Sequence, residues 1–399
     1  MWQSIRRRAA VVSMLAAVLL VAQSAAGAPV SYDFTLITDT SGPFSGFSRT
    51  PTLNDSGTVA FQAGLDAGGI TVATGSGGAT TTIVSSTGGV FNTFSLGATP
   101  ILNNSGTVAF FGTLNATGDR GFFTGAGGAI TTIVTTGSTY SNFGFTPSLN
   151  SSGEVAFSAT LTTGGSGVFA SNGASTTTIA TSTSALFANP ALNDSGTVTY
   201  WSRTGAFPGP FTFGISDGSG GATTTIAQTG GGQFFLMGQD PAINDTGTVA
   251  FAATFLGGQG IFTGKGGATT PIVDSSGAYG GFVLPPSNFA INDSGEIAFQ
   301  VGLDAGGSGI FTGPDAVNDL VITTGQALFG STVTDLGFFR DGLNDAGSLA
   351  FWARLADGRQ VIVRADLPSA AVPEPSPLLL LVAGIGAMIA VRLRRIGNG

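Results

Sequence analysis

The stretch Asn54-Asp55-Ser56-Gly57-Thr58-Val59-Ala60-Phe61 is the first of seven copies of one pattern: Asn, two residues, Gly, three residues and an aromatic ring. The others open at Asn103, Asn150, Asn193, Asn244, Asn292 and Asn344, and close at Phe110, Phe157, Tyr200, Phe251, Phe299 and Phe351. Successive asparagines stand 49, 47, 43, 51, 48 and 52 residues apart. A period in this range signals a propeller or another repeat array, which builds one large body from neighbouring units. Within each copy, Asn and its polar neighbours bond their own backbone and Gly takes a positive φ, so the pattern reads as a tight turn. The closing aromatic reads as packing between units.

Working outward from the second copy gives one repeat. Residues 100–103 form a short strand, 107–114 a second, 121–124 a third and 130–135 a fourth, and 137–146 cross to the next unit. Four antiparallel strands joined by tight turns make a propeller blade, and blades bury their faces by stacking in a ring. The fourth strand follows only the first six motifs. After Phe351 the chain supplies residues 360–365 as a third strand and then ends its repeat, while residues 31–38 precede the first motif unpaired. The expectation is an all-β, seven-bladed propeller in which this N-terminal strand completes the last blade. Such closure removes a sheet edge that would otherwise invite aggregation. A β-solenoid is the alternative, since it also repeats and is rich in Gly and Thr; its coils are usually shorter than this period.

Gly accounts for 64 of 399 residues, hydrophobics for 42% and charged residues for 9%, a profile of many short strands rather than of a disordered chain. Six of the 14 basic residues lie at the two ends, so the middle carries 8 positive and 22 negative charges, a net of −14. A body this acidic repels phosphate backbones and speaks against nucleic-acid binding. The chain has no Cys and no His, which removes disulfides, thiolates, imidazole bases and the commonest zinc ligands.

The ends read as addresses. Residues 1–28 have Arg6, Arg7 and Arg8, an apolar run and a small-residue Ala26-Gly27-Ala28 site, the layout of a secretory signal peptide. Residues 29–368 hold the repeats. Residues 369–399 contain Pro373-Glu374-Pro375, an apolar segment 378–391 expected to be helical, and Arg392, Arg394 and Arg395. Fourteen residues rise about 21 Å as a helix, short for a hydrocarbon core of about 30 Å, though thinning and snorkelling arginines repair such a shortfall. Basic residues after the segment favour a cytoplasmic C-terminus. This tail resembles a PEP-CTERM sorting signal. With the tandem Asn-x-x-Gly-x-x-x-Phe repeats, the chain is similar to bacterial surface proteins that carry interchangeable C-terminal anchors. The resemblance implies export, transient anchoring in the inner membrane, processing by an exosortase-type enzyme, and a final place at the cell surface or in the extracellular matrix. It carries over no catalytic residue.

Catalysis needs a nucleophile, base or metal at a defined site. The glutamates of the body, Glu154 and Glu296, follow turn glycines and read as exposed strand positions; as an acid and base they would make a carboxylate-dependent glycan hydrolase or lyase. Calcium wants six to eight oxygens with several carboxylates, and copies two and three lack the Asp of the motif. No metal or cofactor is expected. The departures from the repeat are the ligand-site candidates. Trp201 and Arg203 in the fourth copy, and Trp352 and Arg354 in the seventh, fall eight and ten residues after the asparagine. Two apart on a strand, they share a face and suit either a cation–π packing pair between blades or a platform for sugar rings. Longer segments at 207–213 and 230–239 fit a rim pocket or simple insertions. The functional expectation is an exported, non-catalytic structural or adhesive protein of a polysaccharide-rich envelope or biofilm. A carbohydrate-binding propeller is the first alternative and the glycan-active enzyme the second.

Overall fold

The computed structural model describes residues 31–94, 99–205, 209–282 and 288–368. The signal segment 1–28, the sorting motif Pro373-Glu374-Pro375, the expected helix 378–391 and Arg392, Arg394 and Arg395 lie outside the described residues. The body is all β, a propeller of seven antiparallel blades. A solenoid is excluded by the antiparallel pairing of every sheet.

Each motif is the turn from a blade's first strand to its second. The second strands are Val59–Leu65, Val108–Leu114, Val155–Leu161, Val198–Thr204, Val249–Phe255, Ile297–Leu303 and Leu349–Leu355. The motif glycines have φ between 76° and 85°, the left-handed region that side chains resist. The motif aromatics are all buried, none more than 4% exposed. In several blades the ring stacks on a cross-strand partner from the third strand, as with Phe157 on Phe169 at 5.6 Å and Phe251 on Phe262 at 5.9 Å. A third ring from the first strand, Tyr140 or Phe234, meets both edge-on. Seven apolar clusters result, one in each interface between neighbouring blades.

The first strand differs from the sequence expectation. It is not only the short piece before the motif, such as Ile101–Leu102. A second piece, Phe91–Thr93 in blade 2 or Tyr140–Phe143 in blade 3, pairs with the far end of the same second strand. Residues 137–146, expected as a plain crossing, therefore contain half of the innermost strand of blade 3. The interruption is a bulge; in blade 4 the strand runs unbroken over Leu186–Leu192, with Asn189 at φ 45° absorbing the extra residue.

The ring closes as expected. Strand Asp33–Asp39 pairs antiparallel with Gln360–Asp366 and becomes the outermost strand of blade 7. Ile37 packs into the cluster between blades 7 and 1, while Phe34 and Leu36 pack on the other face. Arg359 reaches Asp39 at 3.2 Å, and Arg364 donates to the Gly57 carbonyl in the first motif of blade 1.

Candidate functional site

Equivalent residues of all seven blades converge on one axial cavity of about 160 Å³. At its rim the motif asparagines do more than turn the chain. Each Oδ1 accepts the backbone N–H four residues on, as Asn54 does from Thr58 at 2.9 Å. In blades 1, 2, 4, 5, 6 and 7 the Nδ2 then donates to the carbonyl of the next blade's asparagine. The relay runs from Asn54 to Asn103, from Asn103 to Asn150, and from Asn193 through Asn244, Asn292 and Asn344 back to Asn54, at 2.9–3.2 Å. All seven side chains are buried. Only an amide supplies both the acceptor and the donor this position uses. The sequence held the signal: all seven copies have Asn and none has Asp, although an Asp serves equally well for the turn alone.

The next residue makes a second, exposed ring. Ser151 donates its N–H to Asp194, Asp194 to Asp245, Asp245 to Asp293, Asp293 to Asp345, and Asp345 to Asp55, at 2.7–3.0 Å. Blade 2 has Asn104 here, which accepts from the Asp55 N–H and returns a bond from Nδ2 to the Asp55 carboxylate at 2.6 Å. Partial desolvation at the crowded rim, then the neighbouring carboxylates Asp55 and Asp293, push the Asp345 carboxyl above its ordinary value; partial desolvation, then Asp194 and Asp345, do the same to Asp245. No group of three or more acidic side chains among the described residues is placed to hold a metal ion.

These raised values have a sign. A carboxyl that binds its proton more tightly when folded loses stability as pH rises from the ordinary carboxylate range through the folded value. Replacing Asp245 and Asp345 together by Asn keeps each acceptor and removes the repulsion, as Asn104 already does. After discounting for solvent screening, the gain is about 0.5–1 kcal/mol, a rise in Tm of about 1–4 °C. It is expected at pH 7 and not at pH 3.5; equal shifts at both values would refute the repulsion.

Below the ring the channel is crossed. The segment between the first and second strands of blade 7 carries Phe339 and Arg340, both buried. Phe339 packs with Ile101 and Leu149 of blades 2 and 3. Arg340 donates to the carbonyls of Pro147 at 2.9 Å, Pro190 at 2.7 Å and Asn189 at 3.3 Å, in the blades diametrically opposite its own. It also pairs with Asp341 at 3.3 Å. Burial pushes the Asp341 carboxyl up, with Arg340 pulling the other way. Sequence reasoning missed this bolt. Its trace is the proline three residues before the motif in copies one to five, which becomes Asp341 in the seventh.

The candidates from the sequence are placed as follows. Trp201 and Trp352 are buried, 5% and 2% exposed, so neither ring presents a face to a sugar. Each packs into the next blade's cluster, Trp201 with Phe234 and Met237, Trp352 with Phe44 and Phe61. Neither stacks with the arginine two residues on: Arg203 lies over Phe211 at 4.6 Å, Trp352 is covered by Arg49 at 4.7 Å, and Arg354 is exposed. On the pleated strand, the larger ring is drawn into the interface while the charge is left at the rim. Glu154 and Glu296 are half-buried on blades 3 and 6, with two blades between them, and Glu296 accepts from Asn292 Nδ2 at 3.1 Å. The structure does not bring them together as an acid and a base.

Comparison with solved structures gives the same architecture. The β-propeller domain of the Trilobed protease from Pyrococcus furiosus, described as an open velcro topology, matches with a TM-score of 0.51 at 10% identity, over 84% of this chain and 98% of that one. The SapL1 lectin in complex with alpha methyl fucoside matches at 10% identity and a TM-score of 0.39, over 70% of this chain and 98% of that one. The polysaccharide lyase Uly1 matches at 10% identity and a TM-score of 0.47, over 82% and 91%. The likeness to the first, at 10% identity, speaks to the fold alone, and the other two add nothing to it. No curated protein sequence matches. A model of a family described as "Family of unknown function (DUF7453)" matches residues 15–379.

Proposed function

The chain belongs to DUF7453, a family of unknown function, and from that premise we propose that it is an exported, non-catalytic propeller with a structural or adhesive role in a polysaccharide-rich envelope or biofilm. The observation that carries this reading is where the propeller begins and ends. Asp33 and Asp366 are register partners on the outer strands of blade 7, so the chain enters and leaves at one place. An N-terminal signal cut after residue 28, or a tail cut at Pro373-Glu374-Pro375, leaves every described strand intact. Both addresses are therefore removable from a ring already locked by its own hydrogen bonds. The partners in this reading are an exosortase-type enzyme, the inner membrane during sorting, and extracellular polysaccharide.

Mass spectrometry of both termini, on protein recovered from the cell surface and the medium, tests the proposal. The expected product starts near residue 29 and ends near the Pro-Glu-Pro motif, and Glu374→Ala holds the chain in the membrane fraction. A chain found in the cytoplasm with both ends intact would end it.

A further inference from the structure

The two Trp-x-Arg copies differ in a way that points to a ligand. In blade 7 the residue across from Arg354 is Gln360. Its Oε1 accepts the Trp352 indole N–H at 3.1 Å and the Phe47 backbone N–H of blade 1 at 3.1 Å. Arg49, which covers that indole, is itself paired with Asp335 at 2.6 Å. This tryptophan is sealed on every side.

In blade 4 the residue across from Arg203 is Phe213. It stacks on Trp201 at 5.8 Å and 29° but offers no acceptor, and the buried Trp201 Nε1 has no hydrogen-bond partner among the described residues. An unmet buried N–H costs about 1–3 kcal/mol. Arg203 stands beside it, half-buried at the end of the blade away from the asparagine turns. Its cross-strand neighbours are Phe213 and Leu186, the latter 49% exposed. Arg49, Arg340, Arg359 and Arg364 each pair with a carboxylate; among the described residues Arg203 pairs with none. A guanidinium is thus held over the Phe211 ring and flanked by apolar side chains, uncompensated in a chain of net charge −8.

We propose that this end of blade 4 binds a carboxylate-bearing saccharide of the uronate class. The carboxylate takes the fixed fork of Arg203, for which a planar guanidinium is suited. The apolar face of the sugar ring lies against Phe211 and Phe213. The indole N–H is closed to solvent in the unliganded chain, so a hydroxyl, or a water carried in with it, supplies the acceptor that Trp201 lacks as the Phe213 ring shifts on binding. A neutral sugar leaves the arginine unpaired, and a small inorganic anion leaves the rings unused. The inference rests on the matrix reading above, since an acidic extracellular polysaccharide is what such a site would hold.

The test is affinity electrophoresis of the full chain, in mild detergent, through gels containing polygalacturonate or neutral dextran. Retardation is expected in polygalacturonate alone. Arg203→Gln is expected to weaken it about tenfold and Arg203→Lys to restore part of it. Trp201→Phe, which also changes packing in the cluster between blades 4 and 5, is expected to weaken it severalfold at a temperature where circular dichroism shows the variant folded. Arg120→Gln, which removes an exposed arginine of blade 2, is expected to leave it intact. Equal retardation by dextran, none by polygalacturonate, or full binding by Arg203→Gln would overturn the site. The two readings fail separately: a surface-located protein that ignores uronate defeats only this one, and a uronate binder confined to the cytoplasm defeats only the matrix role.

Discussion

A chain lacking residues 31–39 is expected to lose its cooperative unfolding transition and to aggregate. The strand it loses is the outer partner of Gln360–Asp366, and without it that strand becomes an open edge in which Val361, Ile362 and Val363 are fully buried in the intact ring. Such an edge is a template for pairing with another chain. Ile37 leaves a hole in the cluster between blades 7 and 1, and Phe34 and Leu36 leave the neighbouring one. Full burial of such a side chain is worth about 1.5–3 kcal/mol; Ile37 is buried and Phe34 and Leu36 are partly so, and the three together approach the lower end of a typical domain's stability. Asp39 adds a pH dependence. Burial raises its carboxyl, but hydrogen bonds from Ser41 and Arg359 outweigh that and hold it below the ordinary value. Its contribution is present above the unfolded carboxylate range and is lost as pH falls through the folded value. Size-exclusion chromatography and thermal melts read the outcome. A permuted chain in which an Asn-Gly turn joins Asp366 to Asp33 restores the same pairing as a hairpin, and is expected to recover the transition. A deletion variant that melts like the parent would show that the ring does not depend on its closing strand.

This closure was legible because it is a matter of counting: seven motifs, six fourth strands, and one spare strand at the N-terminus. The half-strand Tyr140–Phe143 was not, because the bulge that follows it has no fixed length. The equivalent rings Phe44, Phe91, Tyr140, Phe234 and Tyr279 stand 10, 12, 10, 10 and 13 residues before their asparagines, and the periodicity dissolves there. The asparagine relay was half visible. A turn explains Asn, but the absence of Asp needs the interblade donor as well, which six of the seven asparagines supply. The Trp-x-Arg copies were visible as departures, yet which one is sealed depends on Gln360 and Phe213, cross-strand neighbours that no local pattern announces.

Arg340→Leu is expected to lower Tm by about 10 °C. The arginine hydrogen-bonds blade 7 across the axis to blades 3 and 4, beside the apolar contact of Phe339, and its loss strands the carbonyls of Pro147 and Pro190 in the axial channel. It also leaves Asp341 without its countercharge. Removing one member of a fully buried pair costs about 3–5 kcal/mol, chiefly through the partner left behind; Asp341 keeps 29% of its side chain exposed, so the cost falls at about the lower end of that range, and about 2–4 °C accompanies each kcal/mol in a body of this size. The pH dependence separates the two losses. Without Arg340, burial acts unopposed on Asp341, whose folded pKa rises further, so the deficit grows as pH rises and is smaller at pH 4 than at pH 7. The double variant with Asp341→Asn is expected to keep the loss due to the carbonyls and to shed this pH-dependent part. Arg340→Lys retains the charge but lacks the fork that reaches several carbonyls at once, and falls between the parent and the leucine variant. Differential scanning calorimetry at the two pH values decides the matter: an Arg340→Leu protein within 2 °C of the parent at pH 7 would mean that the seven interblade clusters and the asparagine relay hold the ring without a bolt through its centre.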